Sequence, residues 1–192
     1  MTATPDLTPT PGQTVGPFFG FALPYERGGQ LVDQAHPGAV RLYGTVLDGH
    51  GDPVPDALLE IWQADEDGNV STETGSLVRD GWTFTGFGRA AVDNVGRYTF
   101  TTVEPGPTRE GGARFIHVCV FARGLLDKLH TRVYLPEADQ PEGALAHDRL
   151  LASLPEAERA TLLATRDGQG GLSFDIRLQG EGETVFLDVE ER

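Results

Sequence analysis

Leu172, Phe174, Ile176 and Leu178 alternate with Ser173, Asp175, Arg177 and Gln179. This strict period of two is the strongest constraint the chain places on its own fold. Successive side chains of an extended strand point to opposite faces, so one face of 172–179 must be covered while the other meets water. The signal recurs in shorter segments: 40–47, 57–65 and 97–103 all read as strands. Each is stopped by turn chemistry: Asp48-Gly49 with Pro53 and Pro55, then Glu66-Asp67-Gly68-Asn69, then Glu104-Pro105-Gly106. In 114–122 apolar residues occupy both faces, Phe115, His117, Cys119 and Phe121 against Ile116, Val118 and Val120, so a central strand covered on each side is expected. Segment 183–189 follows Gly180-Glu181-Gly182, a hairpin-length connection. One helix is predicted: Ser153-Leu154-Pro155-Glu156 has capping-box spacing with an early proline, and the helix should run to about Thr165 and end near Asp167-Gly168. Twenty-five glycines and 13 prolines suit a turn-rich chain better than a helical one. The expected class is all-β, a two-sheet antiparallel β-sandwich with an extended N-terminal arm and one or two short helices. Residues 1–39 should form the arm and loop, and 40–192 a single sandwich domain.

The formal net charge of −14 argues against nucleic acid and against an anionic membrane surface, both of which call for a basic patch. A single cysteine, Cys119, excludes an intrachain disulfide and suits a reducing compartment. The opening MTATPDLTPTPGQ lacks the apolar core of a signal peptide, and no run reaches the length of a membrane helix. A cytoplasmic protein is expected.

The candidate functional residues each have two readings. His117 reads as a buried histidine with a backbone partner. His36, His50, His130 and His147 show no His-x-His or His-Glu-x-x-His spacing. Cys119 reads as a small core residue. Asp65-Glu66-Asp67 is too short for a calcium loop and reads as a solvated turn. Arg123 is either a solvated strand-end arginine or a guanidinium for a carboxylate, a task its planar fork suits. Thr14, Gly16 and Pro17 are either a tacked-down arm or a low-bulk turn that can approach a flat ring.

Several stretches bear on that choice: TPGQTVGPFF (10–19), LEIWQADEDG (59–68), GRAAVDNVGRYTFTTVEPG (88–106), VFARGLLDKLHTRVYLPE (120–137) and FDIRLQGEGETVFLDV (174–189). Together they resemble the intradiol ring-cleaving dioxygenases, and within them the iron-free chains of the two-chain members. The resemblance implies a two-sheet β-sandwich. It also implies a non-haem ferric ion held by two tyrosinates and two histidines, one tyrosine after a Pro-Gly-Pro turn and the histidines as His-x-His on the next strand. Here those positions read Thr108 and Phe115, and only His117 matches. The four tyrosines are Tyr25, Tyr43, Tyr98 and Tyr134, with none between Tyr43 and Tyr98, where the other ligand belongs. Ferric iron needs anionic oxygen donors, so Thr108, Phe115 and His117 are expected to mark a vestigial metal site, with no metal and no catalytic residue on this chain. The resemblance further implies a β chain as partner, which holds Fe(III) and cleaves protocatechuate with O2 to 3-carboxy-cis,cis-muconate. Thr14, Gly16, Pro17 and Arg123 would lend that site its pocket wall and carboxylate recognition. Two other readings remain open: a free-standing β-sandwich binding module, and an enzyme active by itself.

Overall fold

The computed structural model describes residues 19–73, 80 and 83–188. Its strands are β1 (Ala39–Leu47), β2 (Leu58–Trp62), β3 (Phe87–Ala91), β4 (Arg97–Val103), β5 (Phe115–Phe121), β6 (Leu129–Tyr134), β7 (Thr165–Arg166), β8 (Leu172–Ser173) and β9 (Ile176–Arg177). The helices are short: α1 (Phe19–Ala22), α2 (Ala144–His147), α3 (Arg149–Ser153) and α4 (Glu156–Ala160). One sheet runs β4-β1-β8-β7 with β9 also on β1, and the other runs β3-β2-β5-β6. The expected two-sheet sandwich is therefore present. Its core lies between inner faces, where Leu42, Val46, Phe100, Leu172 and Phe174 meet Leu59, Ile61, Ile116, Val118 and Val133. Burying each such side chain contributes roughly 1.5–3 kcal/mol. A buried amide stitches one sheet to the other: Gln63 Nε2 donates to the Val103 carbonyl at 2.8 Å, and Thr102 Oγ1 donates to Gln63 Oε1 at 2.8 Å.

Three expectations need correction. First, the sandwich is not wholly antiparallel. β8 and β9 run parallel to β1, with Leu42 opposite Leu172 and Val46 opposite Ile176. The alternation of 172–179 holds in burial, but the ladder is interrupted at Phe174-Asp175 without a change of register. There Asp175 Oδ1 accepts the Thr45 N–H at 2.7 Å, and the Phe174 N–H donates to the Tyr43 carbonyl at 2.8 Å. The Phe174 carbonyl sits so close to Gly44 that a Cβ there would lie 1.8 Å away, which is why this strand carries a glycine. Tyr98 closes the junction by donating its hydroxyl to the same carbonyl at 2.5 Å.

Second, the single helix over 153–165 is instead α3 and α4 with two extended residues, Leu154 and Pro155, between them. Asp148 caps α3 by accepting the Leu150 and Leu151 N–H groups, so Ser153 falls at that helix's C-terminal end and its hydroxyl donates to Leu150 instead. α4 stops early because β6 recruits the next residues: the Tyr134 N–H donates to Leu162, and the Ala164 N–H donates to Tyr134. Third, 183–188 is not the second arm of a hairpin. Thr184 still bonds Arg177, but Leu187 turns to the edge of the other sheet and donates its N–H to His130 at 2.7 Å.

Residues 28–31 tie the N-terminal segment to both sheets, since Gly28 accepts from Arg89 on β3 while Gly29 and Leu31 bond Thr101 on β4. Among the described residues no helix is long and apolar enough to cross a membrane.

Candidate functional site

β5 is a central strand, as expected, but only its inner face is sealed. Ile116, Val118 and Val120 are buried, whereas Phe115, His117, Cys119 and Phe121 are half-buried on the outer face. Register fixes what each outer residue meets. Phe115 lies opposite Tyr134, His117 between Trp62 and Arg132, and Cys119 between Glu60 and His130. The outer face of this sheet is therefore a row of chemically active side chains, covered at the Phe115 end by α2–α4 and open at the other.

At the covered end, Thr108 and Phe115 line one cavity of about 430 Å³ together with Arg132, Asp148 and Arg149. The loop carrying Thr108 is pinned at its base. Arg114 reaches the Pro105 carbonyl at 2.8 Å and Glu104 at 3.2 Å, and Arg166 bridges Glu104 and Asp139. The Phe115 ring packs 5.5 Å from that of Tyr134, and the Arg132 guanidinium stands 4.2 Å from the Phe115 ring centre. Tyr134, the phenol that lies close, donates to Asp148 at 3.0 Å and accepts from Arg132 at 3.1 Å. Burial pushes its ionisation up to about 12, with the Arg132 contacts opposing that rise and Asp148 adding to it. A ferric ion here would meet a neutral hydroxyl, a phenyl ring, a protonated phenol, guanidinium groups and a single carboxylate, Asp148, whose Oδ1 already accepts from Tyr134 and from the Leu150 and Leu151 N–H groups. One carboxylate so engaged, among guanidinium groups, does not make the set of several anionic oxygen ligands that a ferric ion requires.

The structure separates His117 from that cavity. His117 lines the neighbouring space, about 440 Å³, with Cys119, His130, Glu60, Trp62 and Phe87. Its partner is not backbone, as the sequence suggested, but an imidazole: His117 Nε2 lies 3.0 Å from His130 Nδ1. Cys119 Sγ stands 3.2 Å from His130 Nδ1 and 3.6 Å from His117 Nε2. Burial, followed by the positive charge of His130, Arg132 and Lys128, lowers His117 to about 4, so it is neutral at physiological pH. Burial and the Glu60 carboxylate push the Cys119 thiol up to about 11. Sequence reasoning missed Cys119 and His130 as a pair because they are 11 positions apart and meet only through the β5–β6 register.

Arg123 lies just beyond the far end of β5, on the order of 25 Å of strand from Phe115. Its side chain is 73% exposed and places Nε 3.2 Å from Asp56. The structure thus does not bring Arg123 to Thr108 and Phe115. Thr14, Gly16 and Pro17 lie outside the described residues.

Known proteins share this fold and sequence pattern. A family model described as Dioxygenase matches residues 15–180. The protocatechuate 3,4-dioxygenase alpha chain of Burkholderia cepacia is 40% identical over 95% of this chain and 98% of its own length. The beta chain from the same organism is 33% identical over 73% of this chain and 64% of that one. Among solved structures, the dioxygenase domain of a carbohydrate-binding fusion protein from Streptomyces sp. SirexAA-E superposes with a TM-score of 0.59 at 29% identity, covering 90% of this chain and 99% of that domain. The β-sandwich, the family match through nearly its whole length and these relatives together place the chain in the intradiol ring-cleaving dioxygenase family.

Proposed function

We propose that this chain is the α-type, non-catalytic subunit of a protocatechuate 3,4-dioxygenase. A β-type partner holds Fe(III), and the complex cleaves protocatechuate with O2 to 3-carboxy-cis,cis-muconate. The observation that carries this reading is Phe115, which stands where a ligand histidine is expected and is clamped between Arg132 and Tyr134. A chain so arranged needs its iron on another subunit, and likeness to both an alpha and a beta chain supports a pair built from two related sandwiches. The bound iron supplies the ring-opening chemistry, while protein supplies binding and orientation. On this chain, Thr14, Gly16 and Pro17 form pocket wall, since glycine and proline there add little bulk against an aromatic ring. Arg123 binds the ring carboxylate. Its distance from Thr108 and Phe115 supports a role at a site completed by the partner rather than in its own sandwich. The acidic surface and single cysteine suit a cytoplasmic complex.

Expression with and without the β-type partner tests this. Alone, the chain is expected to contain no stoichiometric iron and none of the tyrosinate-to-iron colour. Co-expressed, it should yield a soluble, coloured complex that cleaves protocatechuate, with iron in proportion to the partner. An isolated chain that is coloured and cleaves protocatechuate would refute the reading, and one indifferent to any β chain would favour the binding module.

A further inference from the structure

We infer that His117, Cys119 and His130 form a binding site for a borderline-to-soft divalent transition ion of the zinc class. The three donor atoms already form the face of a coordination tetrahedron. Their separations are 3.0, 3.2 and 3.6 Å. Zinc bonds of ordinary length to two imidazoles and a thiolate set tetrahedral edges of about 3.3–3.7 Å. Closing on an ion therefore asks for shifts of only a few tenths of an ångström. The backbone holds this spacing. His117 and Cys119 are alternate residues of β5, and His130 is the direct cross-strand partner of Cys119 on β6. A central strand paired with its edge neighbour is a stiffer support than a loop.

The donor chemistry selects the ion. Imidazole and thiolate favour zinc-class metals and suit ferric iron poorly, the reverse of the family's tyrosinate site. The fourth position faces the cavity lined by Glu60, Trp62 and Phe87, where a water or a small ligand has room. The surrounding charges are balanced. Glu60 lies beside Cys119 and is held by Arg89, while Arg132 and Lys128 act on the His117 side. An ion bound with one thiolate carries a net single positive charge, and the carboxylates of Glu60 and Glu73 line the same cavity to offset it. Binding involves no redox step. The Cys119 S–H proton leaves to solvent as the sulfur–metal bond forms. The hydrogen bond between His117 Nε2 and His130 Nδ1 breaks; the ring that donates in it gives up that proton to solvent and takes one from solvent on its other nitrogen, so that both metal-facing nitrogens offer lone pairs.

The inference stands apart from the proposed subunit role and uses a different readout. The untagged chain, co-purified with its partner if solubility requires it, is titrated with Co²⁺. The signal is the difference spectrum between the natural chain and Cys119→Ser, which cancels absorption from the partner's iron. A thiolate-to-cobalt charge-transfer band that saturates at a single equivalent per chain is expected, displaced by Zn²⁺ and at least about tenfold weaker in affinity in His130→Gln. Zn²⁺ should also slow maleimide labelling of Cys119 by at least about tenfold, read on the Cys119 peptide by mass spectrometry. If Cys119→Ser fails to fold, the natural chain minus His130→Gln carries the same comparison. Cobalt binding without a thiolate band, a band unchanged by both substitutions, or labelling indifferent to Zn²⁺ would overturn the site.

Discussion

Replacing Arg123 separates a substrate-binding role from a structural one. The side chain is 73% exposed and its ion pair to Asp56 at 3.2 Å is solvated, so Arg123→Ala should cost the folded chain less than about 0.5 kcal/mol. A destabilised complex is therefore not the expected source of any lost activity. If the guanidinium meets the carboxylate of protocatechuate, its loss removes a charge-assisted hydrogen bond worth about 1.5–3 kcal/mol, or roughly ten- to a hundredfold in KM. Catechol has no carboxylate, so its turnover should barely change. Arg123→Lys should recover part of the loss, because a point charge cannot reproduce a bidentate fork. The structure adds a variant of opposite sign. Asp56 competes for the same guanidinium, so Asp56→Asn should lower KM for protocatechuate, by about twofold at most for an exposed pair, and leave catechol unchanged. Steady-state kinetics of the complex with both substrates provide the assay. Equal losses on both substrates in Arg123→Ala would refute the carboxylate argument, as would weaker protocatechuate binding in Asp56→Asn.

Gly44→Ala should destabilise the chain by about 3 kcal/mol or more, since a Cβ 1.8 Å from the Phe174 carbonyl forces β8 and β9 off β1; a urea midpoint close to that of the natural chain would contradict it. Tyr98→Phe leaves the same buried carbonyl without the phenol and should cost about 1–3 kcal/mol, measurable by the same titration. Burial also pushes the Tyr98 phenol well above its ordinary range, so alkaline pH up to 10 should not ionise it in the fold, as ultraviolet absorbance can check. His117 is held near 4 in the fold against an ordinary 6.5, so the unfolded chain binds more protons in that window. Its contribution is complete above pH 6.5 and is lost as pH falls toward 4; in metal-free buffer, His117→Gln should flatten the fall in stability across that range, and an unchanged slope would contradict it.

What the sequence disclosed was the facing of strands more than their partners. Segment 97–103 is β4 residue for residue, because its buried Tyr98, Phe100 and Thr102 alternate with the less buried Arg97, Thr99 and Thr101. The same period of two marks 172–178 but is silent on direction, and nothing in it distinguishes parallel pairing with β1 from a hairpin. The proposed loss of iron ligands at Thr108 and Phe115 was legible because those positions can be compared one by one with a motif. The His117–Cys119–His130 cluster was not, since its assembly depends on how residues 122–128 turn, and that register is set by tertiary pairing rather than local pattern. The helix over 153–165 failed for a related reason. Local capping spacing pointed one way, and β6, offering hydrogen bonds to 162–164, won.

The parallel seam on β1 also orders events during translation. Thr45 and the Asp175 side chain that satisfies its N–H are 130 residues apart. As the chain leaves the ribosome, β1 can zip onto β4 early, but its other margin stays bare until 172–177 emerge. An uncovered strand margin attracts whatever extended chain is nearby, including a second nascent copy. Recruitment of another subunit should therefore be productive only late in synthesis. Chains stalled or truncated before residue 172 should accumulate with chaperones rather than in complexes, even though most of the sandwich core has by then been made.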